Sequence, residues 1–374
     1  DPKAAERFAL KQSQAFVDQM EGFALELEDE LMNFSDVSYK SFVKSESEII
    51  TLFYDKFADI PLLSRMDAVA ETFIDEIETL LNRDLPEEER IPLIEKFRKL
   101  YETMDFYVLY NRFLKKEGYQ TLPRRPLEKR KLRYEDVYPV LYLKYRLSRQ
   151  AERSNIKHLV IDEMQDYSRL QYLIIRRIFS CKMTILGDRA QTMADQQQDV
   201  LQFLPGIFGK DLRRIEMRKS YRNTVEIASY AANLIGVTDL ELFERHGMPV
   251  LERDVTDLEA ALREAVDTLF PEEKTYETAA VIVPDEKTAE RAYLILREIL
   301  AEKDFDCEKR LSWLNRDSSS FKKGLTVTTF YLAKGLEFDQ VFSIFPKDEK
   351  REMMMQAQYI AATRALHELR VYHI

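Results

Sequence analysis

Leu159, Val160 and Ile161 form a short apolar run that stops at Asp162-Glu163-Met164-Gln165-Asp166, a stretch with four polar residues, three of them carboxylates. Such a run fits a buried strand. A parallel strand that ends in acids delivers them to a ligand crevice, because ligands of open α/β sheets sit outside the carboxyl ends of the strands. A strand leading into an acidic helix N-terminus, where negative charge is favoured, produces the same letters.

The texture of the chain changes around this point. Upstream, Phe16, Met20, Phe23, Leu27 and Leu31 recur at helical spacing, as do Val69, Phe73, Ile77 and Leu80. These stripes mean packing. Prolines at Pro86 and Pro92 read as breaks between helices. Downstream, strands are expected at 159–161, 183–186, 214–217, 279–283, 325–329, 341–345 and 369–373. Helices are expected between them, at 170–179, 224–235, 288–301 and 351–366. That alternation implies a parallel sheet.

The formal charge of −10 argues against a protein whose whole surface binds nucleic acid, since phosphate contacts need clustered Lys and Arg. One local exception is the cation-dense stretch from Pro123 to Arg133. A solvated linker is the first reading, and a contact with a nucleic-acid backbone or an acidic partner face is the other. Cys181 and Cys307 lie far apart, and the four histidines show no paired spacing, so neither a disulfide framework nor a zinc site is expected. No run approaches the ~18 apolar residues of a membrane span. A cytoplasmic protein with reduced thiols, and no membrane partner, is the expectation.

Asp162, Glu163, Asp188, Gln191, Arg222, Lys334, Glu337 and Arg364 fall at or beside expected strand ends. Carboxylates, an amide and arginines converging on one crevice are the components of phosphoryl transfer, in which the protein positions Mg²⁺ and water and neutralises charge. In that scheme Asp162 holds the metal, Glu163 orients or deprotonates the attacking water, Gln191 senses the terminal phosphate, and Arg222 and Arg364 stabilise its developing charge.

From residue 157 onward the chain resembles the superfamily 1A helicases of the UvrD/Rep type. Ile161-Asp162-Glu163-Met164-Gln165-Asp166 is similar to motif II, Leu186-Gly187-Asp188-Arg189-Ala190-Gln191 to motif III, and Lys219-Ser220-Tyr221-Arg222-Asn223 to motif IV. The run from Thr329 to Asp339, with Lys334-Gly335-Leu336-Glu337, resembles motif V. Tyr359-Ile360-Ala361-Ala362-Thr363-Arg364-Ala365 resembles motif VI. The resemblance implies an ATP-hydrolysing motor with ATP and Mg²⁺ as cofactors and tandem RecA-like (P-loop NTPase) domains of α/β class. It implies that Tyr221 stacks on adenine, that Glu337 reaches the ribose, that Lys334 and Gly335 line the nucleotide, and that Arg222 and Arg364 meet the γ-phosphate. Read from the residues alone, Tyr221 also fits a core aromatic and Lys334-Gly335 a turn cap.

Asp166-Tyr167-Ser168, Lys182 to Asp188 and Tyr331-Leu332-Ala333-Lys334 look most like the HelD branch, which implies RNA polymerase as partner and its ATP-dependent release or recycling as the work. Phe42, Phe53, Tyr54 and Phe57 would then belong to that branch's helical insertion. Two departures bear on function. Tyr331-Leu332 stands where UvrD-like helicases have His-Ser near the DNA strand, and about a hundred residues separate Arg222 from Thr329, too few for the large second-domain insertion of UvrD. No GxxxxGK[ST] phosphate loop occurs, and only Gly22 and Gly118 precede residue 187. The family places that loop upstream, so the expectation is a C-terminal portion of a larger motor, inactive alone. The expected parts are a helical insertion at 1–153, the C-terminal part of a first, incomplete RecA-like domain at 154–215, and a second RecA-like domain at 216–374. A UvrD-like single-strand DNA helicase and an ATPase-dead polymerase-binding scaffold are the alternatives.

Overall fold

The structure is a computed structural model that describes residues 2–149, 155–188, 200–237, 241–303, 305–316, 318, 323–347 and 352–374. Two compact units emerge, residues 1–187 with 197–212 and residues 188–196 with 213–374. The first is mainly helical.

In the first unit, α1 (Pro2–Gln12) and α2 (Gln14–Glu30) precede a small hairpin of β1 (Val37–Tyr39) and β2 (Phe42–Lys44). Helices α3 (Glu46–Thr51), α4 (Arg65–Leu81), α5 (Glu87–Arg98), α6 (Phe106–Lys116) and α7 (Tyr134–Leu147) follow. The stripe of α2 is buried along its length, and Phe16 meets Phe113 of α6 edge-on with ring centroids 5.2 Å apart. Val69, Phe73 and Ile77 of α4 join the same core. Leu80 does not: it lies off that face and is exposed. Pro92 does not break α5 either. The donor it lacks would serve residue 88 in the exposed first turn, while Leu93 and Phe97 bury the rest of the helix.

The chain then forms β3 (His158–Ile161), α8 (Arg169–Ile178), β4 (Lys182–Ile185) and α9 (Val200–Phe208). Strands β3 and β4 pair in parallel, with Ile161 opposite Ile185. Ile161, Tyr172, Val200, Phe203 and Leu204 pack beneath them.

The second unit opens with β5 (Lys219–Ser220), α10 (Val225–Ile235) and β6 (Glu241–Leu242), then β7 (Leu251–Asp254), α11 (Leu258–Asp267), β8 (Thr278–Val283) and α12 (Glu286–Ala301). It closes with α13 (Cys307–Arg310), β9 (Leu311–Trp313), β10 (Gly324–Thr329), β11 (Phe338–Phe345), α14 (Glu352–Thr363) and β12 (Ala365–His373). Six strands form one sheet in the order β7-β12-β11-β8-β10-β9, and every pairing is parallel. Alternation along the strands feeds two cores. Ala279, Val281 and Val283 of β8 pack with α11 and α12, and Ala280 and Ile282 pack with α10 and α14. The chain is thus a mixed α/β protein with a six-stranded parallel sheet, an arrangement consistent with a helicase RecA-like fold.

Two sequence expectations fail here. Residues 214–217 form no strand: Ile215 and Met217 are 73% and 85% exposed, and pairing starts only at Lys219. Their alternating pattern finds no neighbouring strand. The helix expected to reach residue 366 stops at Thr363, because Ala365 is taken into the ladder opposite Phe338 of β11.

Candidate functional site

In the first unit, the ladder between β3 and β4 continues one step past the strands. Leu186 N–H donates to the Ile161 carbonyl at 2.7 Å, and Met164 N–H donates to the Leu186 carbonyl at 2.8 Å. These bonds fix the turn that carries Asp162 and Glu163 out of the sheet at the carboxyl end of β3. Asp162 is exposed, and its Oδ1 accepts the Glu163 N–H at 2.8 Å. Glu163 sits in the left-handed region at φ 52°, ψ 50°. Few side chains adopt that conformation without an environment that imposes it.

Two residues without an assigned role in the motif reading pack against this turn. Gln165 is 1% exposed, and its amide donates to Glu163 Oε2 at 2.5 Å. At Gly187 an added Cβ would lie 2.7 Å from the Met164 nitrogen and 2.5 Å from Gln165 Oε1, so the second loop closes on the first only because position 187 has no side chain. Gln165 and Gly187 lie inside the stretches resembling motifs II and III, but only their proximity reveals the role. Gln191 lies outside the described residues.

In the second unit the polar groups gather at the amino ends of two neighbouring strands, β11 and β12. Helix α14 runs back against the strands, so Arg364 arrives immediately before β12 while Glu337 arrives immediately before β11. Phe338 N–H donates to the Arg364 carbonyl at 2.9 Å. Asn223 joins the third piece: its buried side-chain amide donates to Ala365 O at 2.6 Å and Thr363 O at 3.3 Å. Arg245 donates to the carbonyls of Arg222 and of Leu366, the latter at 2.8 Å. Arg222 and Glu337 thereby come together beside the Arg364 backbone, although 142 positions separate Arg222 from Arg364, and Tyr221 precedes Arg222 in the chain.

Within this cluster the two arginines differ. Arg222 is half exposed and its Nε lies 2.7 Å from Glu337 Oε1. Arg364 is 1% exposed, and its guanidinium donates to Ile360 O at 3.3 Å, Leu336 O at 3.4 Å and Thr363 Oγ1 at 3.1 Å. Arg364 therefore anchors the end of the Lys334-Gly335-Leu336 turn. Gly335, at φ 80°, supplies the left-handed residue that turn needs. Tyr221 is 59% exposed, with Phe243 tilted against it at 5.5 Å and Lys219 Nζ over its ring at 5.6 Å. It is not a core aromatic.

As for Mg²⁺, no cluster of three or more His, Cys, Asp or Glu among the described residues forms a cage. Asp162 offers a hard carboxylate oxygen, and Mg²⁺ ordinarily takes one or two carboxylates together with substrate phosphates. The donor set fits a cation that arrives with a nucleotide.

No curated protein matches the chain. Among solved structures, the C-terminal domain of a possible DNA helicase from Lactobacillus plantarum WCFS1 shares 24% identity over 41% of this chain and 88% of its own, with a TM-score of 0.32. The PRRSV helicase shares 14% identity over 71% of this chain and 45% of its own (TM-score 0.32). Arterivirus nonstructural protein 10, a helicase, shares 14% over 71% and 50% (TM-score 0.29). The chain spans about half the length of these two viral structures. Residues 6–193, half of the chain and including the Asp162-Glu163 turn, match the family model of the UvrD/REP helicase N-terminal domain, and the chain belongs to that family.

Proposed function

We propose that this chain is part of an ATP-dependent helicase-family motor in which Glu163 orients or deprotonates the attacking water. The observation that carries the reading is the Asp162-Glu163 turn, left-handed at Glu163 and packed against Gln165 and Gly187 inside a UvrD/REP-matched segment. Asp162 would hold Mg²⁺, which neutralises phosphate charge when bound with ATP. Tyr221 would stack on the base, Glu337 would take the ribose, Lys334 and Gly335 would line the same nucleotide, and Arg222 and Arg364 would stabilise the terminal phosphate. The coupled work is nucleic-acid translocation.

A second reading is supported by the HelD-like phrases Lys182 to Asp188 and Tyr331 to Lys334: release or recycling of RNA polymerase. ATP turnover separates the two. A protein that joins this chain to a GxxxxGK[ST] loop is assayed with single-stranded DNA, with RNA polymerase, and with neither, beside Glu163→Gln. Turnover lost at least a hundredfold in Glu163→Gln supports the motor. The stronger stimulant identifies the work, and turnover indifferent to Glu163 refutes the assignment. This chain alone is expected to turn over ATP negligibly.

A further inference from the structure

The stretch from Pro123 to Tyr134 takes no part in the chemistry above, and its structure is that of a presented surface. Six cations, Arg124, Arg125, Lys129, Arg130, Lys131 and Arg133, stand against one acid, Glu128, in a chain that is otherwise acidic. The loop is pinned. Tyr107 Oη donates to Pro123 O at 2.7 Å, Leu122 N–H donates to Asn111 Oδ1 at 2.7 Å, and Arg130 bonds Asp105 Oδ2 at 2.6 Å while lying 4.7 Å over the Tyr107 ring. Arg130 also donates to the Arg125 carbonyl at 3.0 Å, which ties the two halves of the loop together. Prolines 123 and 126 favour extended backbone around residues 122–125, and Leu127–Lys129 then close a single 3-10 turn before Arg130.

The remaining five cations are exposed, and none is in an ion pair among the described residues, Arg133 alone donating to a neutral acceptor, Gln120 Oε1, at 3.3 Å. Nearby acids are already engaged: Asp105 by Arg130, Glu135 by Arg7 and Asp136 by Lys11. Tyr134 ends the strip, 65% exposed, with one face stacked on Phe8 at 5.5 Å and 17°. Tyr138 buttresses it edge-on at 6.0 Å.

We propose that residues 124–134 form a binding surface for single-stranded nucleic acid, with the free cations on successive phosphates and the open face of Tyr134 under a base. A row of unpaired cations ending in a supported aromatic platform is how proteins hold strands without reading sequence. An acidic protein partner would use the charges but not the ring. The proposal deepens the nucleic-acid reading above by naming a surface outside the ATP chemistry.

The test measures binding of the full chain to a fluorescent 20-mer of oligothymidylate across a salt series. Arg124→Ala/Arg125→Ala/Lys131→Ala is compared with Lys287→Ala/Arg291→Ala/Arg297→Ala, which removes the same charge from the exposed face of α12. On the strip, the slope of log affinity against log salt falls by about 2, from roughly 0.7 per phosphate contact. On α12 it stays. Tyr134→Ala weakens binding about tenfold without changing the slope. Equal effects of the two triple variants, or binding unaffected by either, overturn the surface while leaving nucleic-acid action in place. A wild-type chain that binds no strand at low salt overturns the surface too, and ATP turnover stimulated by DNA then decides separately whether the motor reading survives. Poly-glutamate that displaces the strand from wild type, combined with no effect of Tyr134→Ala, assigns the strip to an acidic protein and refutes the proposal. Circular dichroism confirms that each variant is folded.

Discussion

Arg222 and Glu337, which the family resemblance assigns to opposite ends of one nucleotide, are bonded to each other at 2.7 Å. Both are more than 40% exposed, and an ion pair so placed contributes between nothing and about 1 kcal/mol. A nucleotide can therefore separate them at little cost. Glu337→Gln is expected to leave the unfolding midpoint of the second unit nearly unchanged and to raise the KM for ATP. Arg222→Ala is expected to lower kcat by about 10³-fold or more, as loss of an arginine that meets the transferred phosphate does. Arg222→Lys restores little, since a point charge does not replace a fork. An unchanged kcat in Arg222→Ala, in a protein that turns over ATP, removes this residue from the phosphate.

Arg364 answers to a different measurement. Its guanidinium is buried on the carbonyls of Leu336 and Ile360, so truncation takes a donor from each, with only Ile360 O keeping the Thr363 hydroxyl at 2.9 Å, and leaves a cavity behind. Arg364→Ala is expected to cost about 2–4 kcal/mol in urea unfolding, where Arg222→Ala costs almost nothing. Equal midpoints for the two variants contradict the anchoring role.

Gly187→Ala tests the closure of the acidic turn. The methyl group would meet the Met164 nitrogen at 2.7 Å, and backbone cannot yield as a flexible side chain does. A loss of about 1–3 kcal/mol is expected, together with turnover reduced more than stability alone explains, because Glu163 moves with Met164. A stable, fully active Gly187→Ala protein shows that the two loops are not locked.

Acid unfolding gives a fourth test. Glu226 in the first turn of α10 bonds His246 Nδ1 at 2.9 Å and accepts the Gly247 N–H at 2.8 Å, and these contacts, His246 foremost, bring its carboxyl down to about 2. A carboxyl depressed in the folded state stabilises above its unfolded value and loses that stabilisation as pH falls through the folded one. The contribution is thus complete above about 4.5 and lost toward 2. Glu226→Gln should flatten the fall of the urea midpoint across that window and leave it unchanged near neutrality relative to pH 5. An identical acid limb in both proteins excludes the contact.

Much of the second unit's architecture was legible in its letters. Residues 278–283 and 324–329 are continuous apolar or Thr-rich runs between polar turns, the pattern of strands buried on both faces of a parallel sheet. The four residues at 214–217 carry a comparable local signal and form none, because a strand exists only where another offers it hydrogen bonds. For the same reason β12 starts at Ala365 within letters that favour a helix.

The sequence by itself determined the α/β class and the helical packing stripes, and it supplied the residues proposed here for phosphoryl transfer, since each depends on local periodicity or on the order of short motifs. Only the tertiary structure decided which of those residues meet. The sheet order sets β12 beside β11, and that adjacency brings Arg364 to Phe338, while the loop before α10 brings Asn223 to Ala365. It also buries one arginine on carbonyls while leaving Arg222 to pair with a carboxylate. Contacts across more than a hundred positions follow from strand order and crossover path, and neither is written in the spacing of nearby residues.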